Sequence, residues 1–352
     1  MTEIILRELS SSDIDWMVSV GSKLEVTAGD RLLQACENLN ALYLILEGEF
    51  ALNSLQSEHS PPSTLPQVFY TSGDVIGAFL LPSDQLLPFA VTALEDSWVL
   101  AIDKQLLADK LHQDAGFGAR FYRAIAMLLS SKQWQITARL PKESMLQSHL
   151  EMTKSMLSVF GSLHDSDMCW MTSAGRVKRL KKDEVYIREG QPLEALDIIL
   201  QGSLSMFIYQ GKRNSLSLAF NTSQNTQPRK IAEALSGEIL GVTAFLDMTP
   251  NLYMLKASQE TLVLSIPISA LMPRLQQDIG LASRFYRALA SLTAERLFQI
   301  IDQLQKSTRY EPGCSLCDSQ AYTGELDIAD LQQLSIARAR FNWMLHQLGV
   351  KA

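Results

Sequence analysis

Two short motifs in this chain carry residue types that bind acids and anions. Arg120-Phe121-Tyr122-Arg123 returns as Arg284-Phe285-Tyr286-Arg287. The two arginines of each motif lie three apart, on one face of a helix. Guanidinium groups so placed can pair with carboxylates or cap carbonyls. Their expected partners are acids or carbonyls of the β-rich part of the chain, and a surface for helix pairing is the alternative. A basic run, Arg176, Lys178, Arg179, Lys181 and Lys182, reads as the solvated face of a strand and its turn, with an acidic partner or an anionic lipid surface as the other reading. Cys314-Ser315-Leu316-Cys317 is a lone CxxC. A structural zinc site takes four ligands, and Cys36 and Cys169 stand far apart in sequence, so a plain loop is expected there rather than metal or redox chemistry. His59, His112, His149, His164 and His346 match no metal or catalytic spacing, and no GxSxG, P-loop or GxGxxG occurs. Neither an acid–base pair nor a nucleophile set is signalled, and no cofactor or metal is expected.

The elements that position these residues belong to a two-domain chain. Its 352 residues, 47% hydrophobic and 20% charged, suit about two globular domains and exclude disorder. The net charge of −7 argues against a chain built to grip nucleic acid. Four cysteines fit a reducing compartment and no disulfide framework. The start, MTEIILRELSSSD, is too short and acidic for a signal peptide. The longest apolar runs, such as 41–46 and 75–82, fall far short of the ~20 residues of a spanning helix. A soluble cytoplasmic protein without membrane insertion is the expectation.

The chain contains itself twice. SDIDWMVSVG (12–21) matches SDMCWMTSAG (166–175) with six of ten positions identical, at an offset of 154. LYLILEGEFAL (42–52) matches LDIILQGSLSM (196–206) at the same offset. SGDVIGAF (72–79) then matches SGEILGVT (236–243), and ARFYRAIAML (119–128) matches SRFYRALASL (283–292), both at 164. The jump of 10 implies a longer loop in the second copy, within the polar stretch 209–230. Two copies of this length are two domains rather than a solenoid.

Each copy reads as strands followed by helix. Leu42, Leu44 and Leu46 alternate with Tyr43 and Ile45, the pattern of a strand buried on both faces. Short strands and turn residues alternate as far as Ile102 and Ile266, as in a sandwich or jelly roll. Phe121, Ala124, Ile125, Leu128 and Ile136, and likewise Phe285, Ala288, Leu289, Leu292 and Ile300, then recur at helical spacing. Lys142 to Ser162 reads as a largely helical connection, with Met145, Leu146, Leu150 and Met152 on its packing face.

With YIREGQPLEALDIILQGSLSMFI, GEILGVTAFLDMTPNLYMLKA and a closing RFYRALA helix, the second copy resembles the cyclic nucleotide-binding domain of Crp-like sensors, and the first copy resembles it more loosely. The resemblance covers about residues 10–140 and 164–304. It implies a mainly β fold with flanking α: two tandem β-rolls (double-stranded β-helix, or jelly roll), each closed by C-terminal helices. The expected division is domain 1 at 1–140, a helical linker at 141–163, domain 2 at 164–310 and a tail with an amphipathic helix at 311–352. The two-copy layout and length also resemble the cyanobacterial bacteriocin-type transport-associated family, which implies a protein partner in peptide-export machinery or its regulators.

In the family a Gly-initiated short helix presents amides to the cyclic phosphate. A Glu after the Gly takes the ribose hydroxyl, and an Arg nine residues further on pairs with the phosphate. Carried onto this chain, the cassette positions are Gly241, Val242, Thr243, Asn251 and Leu252 in the second copy and Gly77, Ala78, Leu87 and Pro88 in the first. Val242 and Ala78 replace the Glu, and Asn251 and Leu87 replace the Arg. Each lost ionic hydrogen bond costs roughly 1.5–3 kcal/mol, so the two together imply roughly 10²–10⁴ in affinity. Cyclic nucleotide binding is therefore disfavoured in both copies. Ala78, Phe79, Leu80, Leu81, Leu86, Leu87 and Phe89 make an apolar cassette expected to fill itself. The second copy keeps Thr243, Asn251 and a loop Asp247 and is the better candidate for a polar site.

In the tail, Ile328, Leu331, Leu334, Phe341, Leu345 and Leu348 fall near helical spacing after a Pro-Gly break. Forty-two residues are too few for a winged helix-turn-helix, so direct DNA binding is not expected. A helix docked on the second copy or on a partner is expected. The chain reads as a non-enzymatic regulator or adaptor built from two degenerate cyclic nucleotide-binding-like domains. The alternative is a sensor that binds a cyclic nucleotide or other small molecule in another pose, mainly through domain 2. A homodimer through the RFYR helix is a further arrangement the resemblance implies.

Overall fold

The computed structural model describes residues 2–35, 37, 39–54, 68–78, 89–139, 159–209, 228–306 and 328–350. Cys36, Leu87, Pro88, Cys314, Cys317, the methionines of the connection and most of the longer polar loop lie outside the described residues.

Each copy is mainly β with flanking helices, and helices precede the strands as well as follow them. The first copy runs α1 (Thr2–Glu8), α2 (Ser11–Val20), β1 (Ser22–Val26), β2 (Arg31–Leu33), β3 (Ala41–Glu47), β4 (Glu49–Ser54), β5 (Val68–Thr71), β6 (Val75–Ile76), β7 (Phe89–Ala93), β8 (Ser97–Asp103), α3 (Lys104–Gln113) and α4 (Ala115–Arg139). The second runs α5 (Asp165–Ala174), β9 (Arg176–Leu180), β10 (Val185–Ile187), β11 (Ala195–Gln201), β12 (Ser203–Ile208), β13 (Arg229–Leu235), β14 (Ile239–Leu240), α6 (Val242–Asp247), β15 (Met254–Ala257), β16 (Thr261–Pro267), α7 (Ile268–Gln277) and α8 (Ile279–Lys306), and α9 (Ile328–Gln347) ends the chain. The sheets pair antiparallel in the orders β1-β8-β3-β6 and β2-β7-β4-β5, and again β9-β16-β11-β14 and β10-β15-β12-β13. The same order twice is the sequence repeat expressed as topology.

Strand β11 is buried along both faces, as a largely apolar run requires, and the one acid in it, Asp197, is buried with the rest. Strand β3 departs from that expectation at its end. Its register against β8 shifts between Ile45 and Glu47, and Leu46 there is 41% exposed while Ile45 is buried; β11 has the same shift between Ile199 and Gln201, yet the matching Leu200 is buried.

The chain folds as two compact units. Unit 1 comprises 1–141 with 282–327, and unit 2 comprises 142–281 with 328–352. In unit 1 the two arginines of the first motif find acids on the N-terminal helices rather than on the sheets. Arg120 grips Asp13 with two bonds, Nε to Oδ2 at 2.6 Å and Nη2 to Oδ1 at 2.9 Å, and Arg123 pairs with Glu8 at 3.1 Å. Asp13 is already engaged in a capping box with Ser10 at the start of α2. Burial raises the Asp13 carboxyl, but Arg120 and Ser10 outweigh it and hold the group at about 2. Within the same unit Arg123 lies 5.7 Å from the Tyr286 ring centre, and Arg287 stands beside Tyr122. A Cβ on Gly118 would meet the Ser283 Oγ at 2.7 Å. A glycine at that position lets the two Arg-Phe-Tyr-Arg stretches approach closely, and each arginine then faces the other motif's tyrosine.

A buried ion pair ties α4 to the sheets of unit 1. Lys132 Nζ lies 2.7 Å from Asp74 Oδ2, with side chains 7% and 2% exposed, and 2.8 Å from the Phe69 carbonyl. Asp74 also accepts from the Thr71 amide. Removing one member of such a pair strands a buried charge. Lys132→Met is expected to destabilise the chain by about 3–5 kcal/mol in urea unfolding, with the added substitution Asp74→Asn recovering part of the loss. A loss no larger than that of an exposed pair would contradict this role.

Candidate functional site

The cassette of the second copy is folded. Gly241 adopts φ +83°, ψ 6° and starts α6. Gly77 at the matching place in the first copy has φ +92°. Both are in the left-handed region that glycine enters without strain, and neither has room for a side chain. A Cβ on Gly77 would meet Leu39 Cδ2 at 2.5 Å, and one on Gly241 would meet Leu193 Cδ1 at 2.9 Å. Leu39 and Leu193 are the same repeat position, 154 apart. In both copies a leucine therefore lies on the glycine at the head of the cassette.

Asn251 organises this packing. It is 4% exposed. Its amide nitrogens, backbone N and side-chain Nδ2, donate to the Gln191 carbonyl at 2.9 and 3.1 Å, and its own carbonyl accepts from Gly190 at 2.8 Å. These bonds fix the segment that carries Leu193. The residue in the arginine's place thus acts as a clamp on the β10–β11 connection. The Asn251 Oδ1 is buried without a hydrogen-bond partner. Tyr253, two residues on, offers its hydroxyl to the Gly241 amide at 3.3 Å, so an amide at the head of the cassette already has a partner within the chain.

Val242 is buried, Thr243 and Leu252 are half-buried, and Asp247 closes α6 as its last helical residue rather than standing in a loop. Ala78 is buried. Leu87 and Pro88 lie outside the described residues, so of the first cassette only Gly77 and Ala78 are placed.

A polar network stands beside the second cassette. Asp197, on β11 directly opposite Leu240, is 3% exposed. It shares a strand face with Ile199, a member of the unit 2 core cluster against which Tyr186 and Tyr253 pack. Tyr186 donates to Asp197 Oδ1 at 2.7 Å and accepts from Lys178 Nζ at 3.3 Å. Burial pushes the Asp197 carboxyl up, against hydrogen bonds from Tyr186 and Ser265 and the charge of Lys178. Burial and the neighbouring Asp197 likewise push Tyr186 up.

The matching positions of the first copy are Leu24, Leu32, Tyr43 and Ala101, so the network belongs to the second copy alone. Sequence reasoning saw Lys178 only as part of a basic run and did not single out Tyr186, Asp197 or Ser265. Setting the copies against each other position by position exposes them, because four polar residues stand where the first copy has one tyrosine and three apolar groups.

Among the described residues no three His, Cys, Asp or Glu are placed to hold a metal ion, Cys169 is exposed and free, and no helix is long and apolar enough to cross a membrane. The basic run is exposed along β9.

The cyclic nucleotide-binding domain model matches residues 23–114 and 177–278, more than half the chain. The chain belongs to the cyclic nucleotide-binding domain family. Each match spans one copy's strands and the cassette between them. No curated protein matches the chain. Among solved structures it is similar to the regulatory domain of Toxoplasma gondii PKA crystallised with cAMP, at 14% identity over 79% of this chain and 89% of that one, TM-score 0.26. It is also similar to the regulatory subunit of a cAMP-independent protein kinase A from Trypanosoma brucei, at 15% over 79% and 93%, TM-score 0.28. The N-terminal domain of a transcriptional regulator from Streptomyces coelicolor A3(2) matches at 19% over 39% and 89%, TM-score 0.32. The family assignment rests on the two matched segments.

Asp197 gives this tandem cyclic nucleotide-binding chain a pH signature. A carboxyl raised in the folded state holds a proton that the unfolded chain releases near pH ~4, so its contribution to stability is full below that value and is lost as pH rises through the folded value. Asp197→Asn removes this loss. The variant is expected to gain stability relative to the parent chain as pH rises from about 4 to about 8 in urea unfolding, and a difference independent of pH would contradict the assignment.

Proposed function

We propose that this chain is a non-enzymatic regulatory module whose two cyclic nucleotide-binding domains have lost cyclic AMP and cyclic GMP as ligands and act through protein contacts. One observation carries the reading. At the second cassette, Asn251 stands in the phosphate-binding position and donates to the Gln191 carbonyl, and the segment it holds lays Leu193 on Gly241. The position that would attract a phosphate serves internal packing. The buried Val242 cannot accept from a ribose hydroxyl, and Asp197 adds an acid beside the site.

The family's domains are regulatory, which is why the proposal is a regulator or adaptor rather than an enzyme. A protein partner follows from that role. A cytoplasmic setting beside bacteriocin-type export is part of the proposal only through the two-copy layout. A second reading is favoured by the buried, unpartnered Asn251 Oδ1, since such an acceptor invites a donor. On that reading domain 2 senses an uncharged ligand with an N–H group, such as a nucleoside.

A thermal-shift series on the full chain separates these readings, using 1 mM cyclic AMP, cyclic GMP, cyclic dinucleotides, adenosine and guanosine. A ligand at about 100 times its Kd adds about 2.7 kcal/mol, which is several degrees for a domain of this size. The proposal expects no shift with any of them. A shift with cyclic AMP or cyclic GMP would overturn it, and a shift confined to the nucleosides would favour the sensor.

A further inference from the structure

Strand β9 ends its sheet. In the order β9-β16-β11-β14 its strand partner among the described residues is β16, so alternate N–H and C=O groups face away from the ladder on its far side. The ladder to β16 runs through five consecutive pairs, from Arg176 with Ser265 to Leu180 with Thr261, without a bulge. Arg176, Val177, Lys178 and Arg179 are all exposed, so both faces of the strand reach solvent. Lys181 and Lys182, in the turn that follows, are exposed as well. The stretch 176–182 holds five cations, no acid and no proline, in a chain whose net charge is −7.

The repeat supplies an internal control. Strand β1 is the same edge of the first copy. It is as exposed as β9 and as regular against β8. Over the matching residues 22–28 it carries one cation, Lys23, and one acid, Glu25. An exposed edge strand therefore belongs to the shared fold, and its basic character belongs to the second copy. Little of that charge is neutralised within the chain. Lys178 meets the Tyr186 hydroxyl at 3.3 Å. Arg179 meets Glu260 at 3.6 Å with both side chains largely exposed, a contact of small consequence. The side chains of Arg176 and Lys181 are in no ion pair among the described residues.

We propose that β9 is a docking edge for an acidic, extended segment of a partner protein, which joins this sheet as a fifth strand. Open sheet edges are kept from unwanted pairing by proline, bulges, a covering element or charge. Strand β9 has the charge alone, and that charge has one sign. It repels a second β9 and admits an acidic strand. Main-chain hydrogen bonds supply the attachment in this mode of recognition, and side chains supply the choice. Acids are wanted opposite Arg176 and Lys178 on one face and Arg179 on the other, with an apolar residue opposite Val177. An anionic membrane would use the cations and leave the open amides unmet, so the strand geometry favours a protein segment. The inference goes beyond the loss of cyclic nucleotides and holds whether or not either cassette takes a ligand.

The test uses the full chain and a capped peptide, Thr-Glu-Glu-Val-Glu-Glu-Thr, whose sequence reads the same in parallel and antiparallel pairing. At about 0.15 M salt, where weak long-range attraction is screened, the peptide at up to 1 mM is expected to bind and to slow hydrogen exchange of the amides of residues 176–180. The same peptide N-methylated at two adjacent central residues keeps its charge and loses a donor on each edge, and it is expected to bind at least tenfold more weakly. A chain carrying Arg176→Glu with Arg179→Glu is also expected to bind at least tenfold more weakly. Lys181→Glu, expected to weaken binding severalfold, serves if the double variant does not fold. Lys23→Glu on the matching edge of the first copy is expected to leave binding unchanged. No binding, binding without slowed exchange at 176–180, or equal binding of the N-methylated peptide would overturn the proposal. Binding to phosphatidylserine vesicles but not to the peptide would overturn it in favour of a membrane contact.

Discussion

In both copies a leucine methyl occupies the space that a side chain on the cassette glycine would need, and much of the rest follows from that contact. The glycine is held in the left-handed region because only there does the strand turn into the cassette, and the leucine takes advantage of its missing Cβ. Burying a leucine contributes about 1.5–3 kcal/mol. A phosphate pocket gains nothing comparable in the absence of its cation. With valine and asparagine at the positions where the family carries its glutamate and arginine, the proposal has the apolar contact win the space. Asn251 completes the exchange, because its short amide reaches the neighbouring backbone at Gln191.

The helices show a second pattern, in which guanidinium groups join α4 and α9 to acids of the helices that open the copies. Arg120 with Asp13 and Arg340 with Asp165 are separate instances of one arrangement. The buried Lys132–Asp74 pair differs in kind. It binds α4 to the sheets of unit 1, where the low dielectric makes a lost partner costly. Fold and family thus persist through packing and ion pairs remote from the cassette.

The repeat made most of the fold legible. Offsets of 154 and 164 fixed two copies and the place of the longer loop, and the strand order of each copy followed. The cassette positions came from the family resemblance, carried across one residue at a time, and the structure describes Gly77, Ala78, Gly241, Val242, Thr243, Asn251 and Leu252 among them. Other features were not legible, because they live in pairings. Asp197 looked like one polar residue in an apolar strand until β11 set it opposite Leu240 and beside Tyr186. Leu46 read as core by the strand's alternation, and it is exposed while its counterpart Leu200 is buried. The Arg-Phe-Tyr-Arg arginines were expected to meet acids or carbonyls of the strands, and the acids that Arg120 and Arg123 meet lie on α2 and α1, where sequence distance hid them. Arg340 of α9 was visible as a letter, but its part came only with its pairing to Asp165.

The most direct test of the central claim is hydrogen exchange of the amides from Gly241 to Asp247 in the full chain, with and without 1 mM cyclic AMP. These are the groups that would cradle a cyclic phosphate, and the account has the first of them engaged by Tyr253 and the glycine covered by Leu193. The predicted result is an exchange profile unchanged by the nucleotide. Protection of this segment on adding cyclic AMP would show an open, working cassette and contradict the account.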